Sequence, residues 1–172
     1  MPRHAIFATG YETLKQIPRS SYNVISTWAL ATKPIPPKQF WPGRKIVWEA
    51  SDPYLYFRTT PDNRIIAGGE DEDFADEEAR DRLIASKSKT VLQKLRALLP
   101  GRHLELAHQW AGNFAETDDG LPIIAEPDGL NRRLAVLGAG GNGITFSVIA
   151  ADIAAAWVRG RKTRSAKYFA PR

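Results

Sequence analysis

The segment that most restricts this chain is Gly138-Ala139-Gly140-Gly141-Asn142-Gly143, set between a strand-like run, Arg133 to Leu137, and an apolar run of helical length, Ile144 to Val158. Glycines here let the backbone approach a ligand closely, and the free N–H groups at the start of the following helix favour negative charge. The letters satisfy G-x-G-x-x-G, the pattern of a turn that holds a dinucleotide pyrophosphate. Its surroundings do not suit that use. Only 29 residues follow Gly143, too few for a helix, a second parallel strand and further crossovers, and no Asp or Glu follows Asp152 to hold a ribose hydroxyl. Two readings remain: a seat for a negatively charged group, or glycines that permit tight strand-to-helix packing.

Composition narrows the chemistry further. With no cysteine among 172 residues there is no disulfide, no thiol nucleophile, no thiolate metal site and no cysteinyl link to a cofactor. His103 and His108 are five apart, a spacing that sends them to opposite faces of a strand, so no metal site is expected. Ser147 lacks a G-x-S-x-G setting, and a hydrolase triad is set aside. The net charge of +5 is dispersed and ends in a basic tail, Arg161, Lys162, Arg164, Lys167 and Arg172, without any nucleic-acid motif, so no nucleic-acid partner is expected. No uninterrupted apolar run reaches about 18 residues and the N-terminus has no signal-like core, which predicts a cytoplasmic protein without a membrane span.

Strand-like stretches run from Tyr22 to Thr32, Lys45 to Glu49, Tyr54 to Thr60 and Leu104 to Phe114. Thr60-Pro61-Asp62-Asn63 is a turn by composition, so Tyr54 to Gly69 reads as a hairpin. Seven of the nine residues from Glu70 to Glu78 are acidic and Lys87, Lys89, Lys94 and Arg96 follow, a charge order that matches a helix dipole. With Leu83, Ile84, Val91, Leu92, Leu95, Leu98 and Leu99 at helical spacing, the pattern predicts one amphipathic helix from the acidic run to about Leu99, covering a sheet. Within the hairpin, Tyr54, Tyr56 and Arg58 alternate and project from one strand face. They either line a pocket for an anionic or aminated substrate or pack against the long helix.

In chain order, Ala8-Thr9-Gly10-Tyr11, Tyr54 to Thr60, Arg64 to Gly69, Trp110-Ala111-Gly112, Thr117 to Pro122 and Gly138 to Ser147 resemble the C-terminal half of the D-amino-acid oxidase-like FAD-dependent oxidoreductases, the family of glycine oxidase and sarcosine oxidase. The resemblance covers nearly the whole chain and is most specific from Gly138 to Ser147, with Asp119-Gly120-Leu121-Pro122 ahead of it. It implies an α+β fold: a mixed, largely antiparallel substrate-domain sheet with a covering helix, plus a strand, glycine turn and helix of an FAD-binding domain that lacks its N-terminal ADP-binding βαβ unit. Residues 1-20 would be a remnant of the FAD-binding domain, 21-109 the substrate-binding domain, and 110-172 the return to the FAD-binding domain with the basic tail.

The same resemblance implies FAD as cofactor, with Gly10, Gly138, Gly140, Gly141, Asn142, Gly143, Ile144 and Thr145 against the flavin. The implied chemistry is hydride removal from the carbon beside an amine, giving an imine, with no residue assigned as acid or base. Tyr54, Tyr56 and Arg58 would then meet a small amine or amino-acid substrate. Asn113-Phe114-Ala115 stands where relatives that bind amino-acid carboxylates often place an arginine, which counts against a simple amino-acid substrate unless Arg58 takes that role. No counterpart of the ADP-binding unit stands ahead of Ala5, and the chain is expected to be a truncated product or one piece of a split enzyme. A homo-oligomer or a second chain carrying the missing half is the expected partner, with Ile144, Val148, Ile149, Ile153 and Trp157 exposed for want of a covering layer. A catalytically silent subunit or binding module of the same fold is the alternative.

Overall fold

β-branched and aromatic residues concentrate between Ser26 and Gly112, and there they build a five-stranded sheet in the computed structural model, which describes residues 3–12, 15, 17 and 21–170. Arg172 of the basic tail lies outside the described residues. The strands are β1 (Ala5–Gly10), β2 (Asn23–Thr32), β3 (Val47–Trp48), β4 (Leu55–Thr59), β5 (Ile65–Glu72), β6 (Leu106–Glu116), β7 (Ile123–Ala125) and β8 (Arg133–Leu137). The helices are α1 (Glu77–Arg82), α2 (Ile84–Leu98) and α3 (Gly143–Val158). The chain divides into two compact units, Ser26–Gly112 and Met1–Ile25 with Asn113–Arg172.

The unit from Ser26 to Gly112 holds the sheet β3-β4-β5-β2-β6. The β4–β5 hairpin pairs Tyr56 with Gly68 and Arg58 with Ile66, and its turn closes with the Thr60 N–H on the Arg64 carbonyl at 3.0 Å. Alternation along these strands sends Leu55, Phe57, Ile65 and Ala67 to one face, where they meet Val91, Leu92, Leu95 and Leu99, the apolar stripe of α2.

The acidic run does not begin a helix. Glu70, Asp71 and Glu72 extend β5, α1 starts after Asp76, and Leu83 separates α1 from α2. The physical reason is pairing: the Lys94 ammonium sits against the Glu70 carboxylate, and Lys87 Nζ lies 2.5 Å from Glu72 Oε1, so lysines of α2 clamp this end of the strand. Asp76 is the true cap, accepting the Ala79 N–H at 2.8 Å.

The other unit holds a three-stranded sheet ordered β1-β8-β7, with β1 parallel and β7 antiparallel to β8. Both faces are covered. Leu134 and Ile124 pack against Ala150, Ile153 and Ala154 of α3 and against Phe169, whereas Ala135, Leu137 and Ile123 pack with Ile17, Tyr22 and Ala115. The expectation that five residues of α3 would stand exposed is corrected in part. Ile153 is buried and Ile149 and Trp157 pack onto that cluster, because they share the helix face turned to the sheet; Ile144 is 89% and Val148 64% exposed. Ala151, Ala155 and Val158 continue that exposed line at spacings of three and four.

The expectation of a chain without a membrane span rested on the lack of an uninterrupted apolar run. Counted with the short helical turn before it, Gly140–Val158 is 19 residues with a mean hydropathy of 1.3, long and apolar enough by length and composition to cross a membrane. Scattered polar residues such as Ser147 and Asp152 break any uninterrupted apolar run but do not lower the average enough to exclude it. A helix that is apolar on every side calls for cover on its outer face as well as its inner one.

Candidate functional site

The glycine turn belongs to the unit that contains β8 and α3, and its glycines have different reasons for being glycine. Gly138 has φ +70°, and a Cβ there would stand 3.0 Å from Thr117 Cγ2. Thr117 cannot yield readily: it is nearly buried, and its hydroxyl donates to the Leu121 carbonyl at 2.7 Å while the Leu121 N–H donates to Asp119 Oδ1 at 3.1 Å. Gly138 is therefore a packing glycine. Gly141 is not, since a Cβ on it would meet nothing within 4 Å and its backbone is not in the left-handed region. Among the described residues no neighbour requires glycine at 141.

Past the turn, α3 begins without a side-chain cap. Asn142 occupies the cap position and its side chain accepts no hydrogen bond from the first turn. The leading N–H groups of this 16-residue helix therefore have no side-chain acceptor, and they lie at the positive end of its dipole. Gly143, Ile144 and Thr145 form that first turn.

A cleft of about 170 Å³ opens beside the turn, lined by Gly10, Asn113, Phe114, Gly138 and Gly140, with Tyr11, Ala115 and Ala139 among its other walls. The structure thus brings Gly10, Gly138 and Gly140 together, while Gly141, Asn142, Gly143, Ile144 and Thr145 do not line this cleft and follow it at the open helix start. Asn113 and Phe114 were noted in the sequence only for standing where an arginine was looked for, and their place in the cleft had no local signal. It arises because the end of β6 bridges to the turn through Glu116 and Ala139.

Tyr54, Tyr56 and Arg58 lie in the other unit, on the sheet face opposite Leu55 and Phe57. The alternative in which these aromatics pack on the long helix is overturned, because strand alternation gives that contact to Leu55 and Phe57. On their own face the rings form a ladder: Trp48 to Tyr54 at 6.0 Å and Tyr54 to Tyr56 at 6.2 Å between centroids. The Tyr56 ring lies over Gly68, where any Cβ would collide with the phenol.

Sequence reading missed Asp71. Its Oδ2 accepts the Tyr54 hydroxyl at 2.6 Å, and its Oδ1 is buried with no hydrogen-bond partner. Burial, and then the Asp71 charge, push the Tyr56 phenol above its ordinary range, with Arg58 opposing them. No local signal marked it: alternation counted from Ile65 and Ala67 would turn Asp71 toward α2, and an irregularity in β5, with φ of +143° at Gly69 and +62° at Glu70, reverses the order. Among the described residues no cluster of three metal-ligating side chains occurs, and His103 pairs with Glu105 at 3.1 Å.

Comparison with known proteins shows the family. Residues 2–157 match the family model described as FAD dependent oxidoreductase. No curated protein matches the sequence. Among solved structures, glycine oxidase from Geobacillus kaustophilus is similar with a TM-score of 0.71 and 19% identity, over 88% of this chain and 39% of that one. L-proline dehydrogenase from P. horikoshii is similar at 0.65 and 20%, over 98% and 46%. Iminodiacetate oxidase from Chelativorans sp. BNC1 is similar at 0.68 and 18%, over 87% and 40%. The chain spans less than half the length of each of these proteins.

Proposed function

Because this chain belongs to the FAD-dependent oxidoreductase family, whose cofactor is FAD, we propose that it is the flavin-ring and substrate-contacting portion of an enzyme that oxidises an amine or amino acid to an imine. The observation that carries this reading is Gly141, a glycine that no neighbour among the described residues requires, beside a helix start whose cap residue makes no side-chain hydrogen bond. A residue without a side chain suits close approach by a flat ring, and an uncapped first turn suits partial negative charge. Gly140 to Thr145 would hold the flavin ring, with Gly10 at the neighbouring strand end. FAD bound there supplies the acceptor for the hydride that leaves the carbon beside the amine.

The chain's own residues then have limited tasks. The N–H groups and dipole of α3 stabilise negative charge developing next to the helix start. Tyr54, Tyr56 and Arg58 bind the substrate, the guanidinium taking an anionic group and the phenols orienting the amine. Removing hydride from a neutral amine depends on positioning more than on a protein base, and no acid or base is assigned. The names of the similar enzymes, which speak of glycine, L-proline and iminodiacetate, support small amino acids and amines as the substrate class.

The test is Gly141→Val. The variant should unfold within about 1 kcal/mol of the parent, since the new side chain enters open space, yet bind FAD at least tenfold more weakly by flavin fluorescence. Equal FAD affinity in parent and variant would remove the glycine turn from the flavin site.

A further inference from the structure

Three consecutive acids end β5, and two of them are neutralised. Glu70 and Glu72 meet Lys94 and Lys87 of α2. Asp71, turned to the other face past the irregularity at Gly69 and Glu70, has no cation within ion-pair distance among the described residues. Its one side-chain hydrogen bond comes from the Tyr54 hydroxyl, and its other oxygen is buried without a partner. A half-buried carboxylate without a counter-ion leaves a negative potential on the surface in front of it.

That surface is aromatic. Tyr54 stacks between Trp48, which is 62% exposed, and Tyr56. Donation of the Tyr54 proton to a carboxylate polarises the phenol and makes its ring a better partner for a cation. Arg58 is the one cation of β4; it lies beyond Tyr56, at the end away from Tyr54 and Asp71, and donates to the Thr59 carbonyl at 3.4 Å. The ladder therefore runs from a negative end to a positive end.

We propose that Trp48, Tyr54 and Asp71 form a subsite for an organic ammonium group, with Arg58 receiving the anionic part of the same molecule. This deepens the functional reading above and rests on it for the identification of the ligand as substrate. The binding chemistry itself needs no flavin. Rings supply dispersion and cation–π attraction, and Asp71, held behind them, supplies the charge; a neutral isostere of the ligand gains only the first of these.

The test uses the whole 172-residue chain and tetramethylammonium chloride, with sodium chloride at equal ionic strength as control, followed through the Trp48 indole N–H by NMR. Saturable shifts at Trp48, Tyr54 and Tyr56 are expected, weakened at least tenfold in Asp71→Asn. Should Asp71→Asn fail to fold, Trp48→Leu at an exposed position provides the second variant and should also weaken binding. Shifts that match the sodium chloride control, or an affinity unchanged in whichever of the two variants folds, overturn the proposal. If tetramethylammonium binds as described while FAD does not bind, the subsite stands and the flavin reading fails; the reverse pair of results isolates the failure to the subsite.

Discussion

The two units of the chain solve the burial problem to different degrees. In the unit from Ser26 to Gly112, α2 closes the sheet with Val91 and Leu95, both fully buried against Leu55 and Ile65, and α1 starts on the Asp76 cap. In the unit containing β1, β8 and α3, the sheet is covered on both faces, but Ile6 is 50%, Val148 64% and Ile144 89% exposed, and α3 starts without a side-chain cap. The first buries its helix stripe on its own sheet and leaves its open apolar residues at the β3 edge, where Ile46 is 72% and Trp48 62% exposed. The second leaves a helix start and an apolar helix face open, which is what a site for another molecule requires.

The comparison can be broken most forcefully at Gly69, whose φ is +143° and where a Cβ would run into the Tyr54 carbonyl oxygen of the paired strand. Gly69→Ala should lower stability by about 4 kcal/mol, the sum of backbone strain and a collision that strands cannot relax, as measured by urea unfolding. Leu95→Ala, which hollows the core beneath α2, should cost about 3 kcal/mol in the same assay.

The helix starts sharpen the contrast. Asp76→Ala should cost about 1 kcal/mol because it removes a formed cap, whereas Asn142→Ala should change stability by less than about 0.5 kcal/mol, since it removes none. Equal costs would erase the difference between the two starts. The exposed face of α3 gives a still smaller stability effect: Ile144→Ser with Val148→Ser should stay within about 0.5 kcal/mol. The same pair should move the protein toward monomer in sedimentation if the open face drives association.

A pH titration adds a sign. Burial and Asp71 hold the Tyr56 phenol protonated above its ordinary range, so the folded chain keeps that proton to higher pH than the unfolded chain does. Any stability linked to it is present below the unfolded value of about 10 and is lost as pH rises through the folded value. Phenolate absorbance should show one late tyrosine in the parent and an earlier one in Asp71→Asn.

Much of this arrangement was legible in the sequence, and the failures have physical causes. The strand from Arg133 to Leu137 coincides with β8, and the helix expected from Ile144 to Val158 gains only Gly143, because an apolar run bounded by glycines leaves few alternatives. The alternation of Tyr54, Tyr56 and Arg58 placed them on one face, yet could not say which face α2 covers. β7 was missed since three residues, Ile123 to Ala125, carry too little periodicity to register. The acidic run misled because its meaning is tertiary: only the positions of Lys87 and Lys94 on α2 turn Glu70 and Glu72 into strand residues and leave Asp71 on the tyrosine face. Gly138 and Gly141 look alike in sequence, and only their neighbours separate packing from access.

The measurement that bears most directly on the central claim is an amide NMR titration of the chain with FMN, which carries the flavin ring without the adenylate. The account predicts saturable shifts concentrated at Gly10 and Gly140 to Thr145, with the hairpin of Tyr54 to Gly69 unmoved in the absence of substrate. Saturable shifts centred elsewhere, or none at the start of α3, would contradict it.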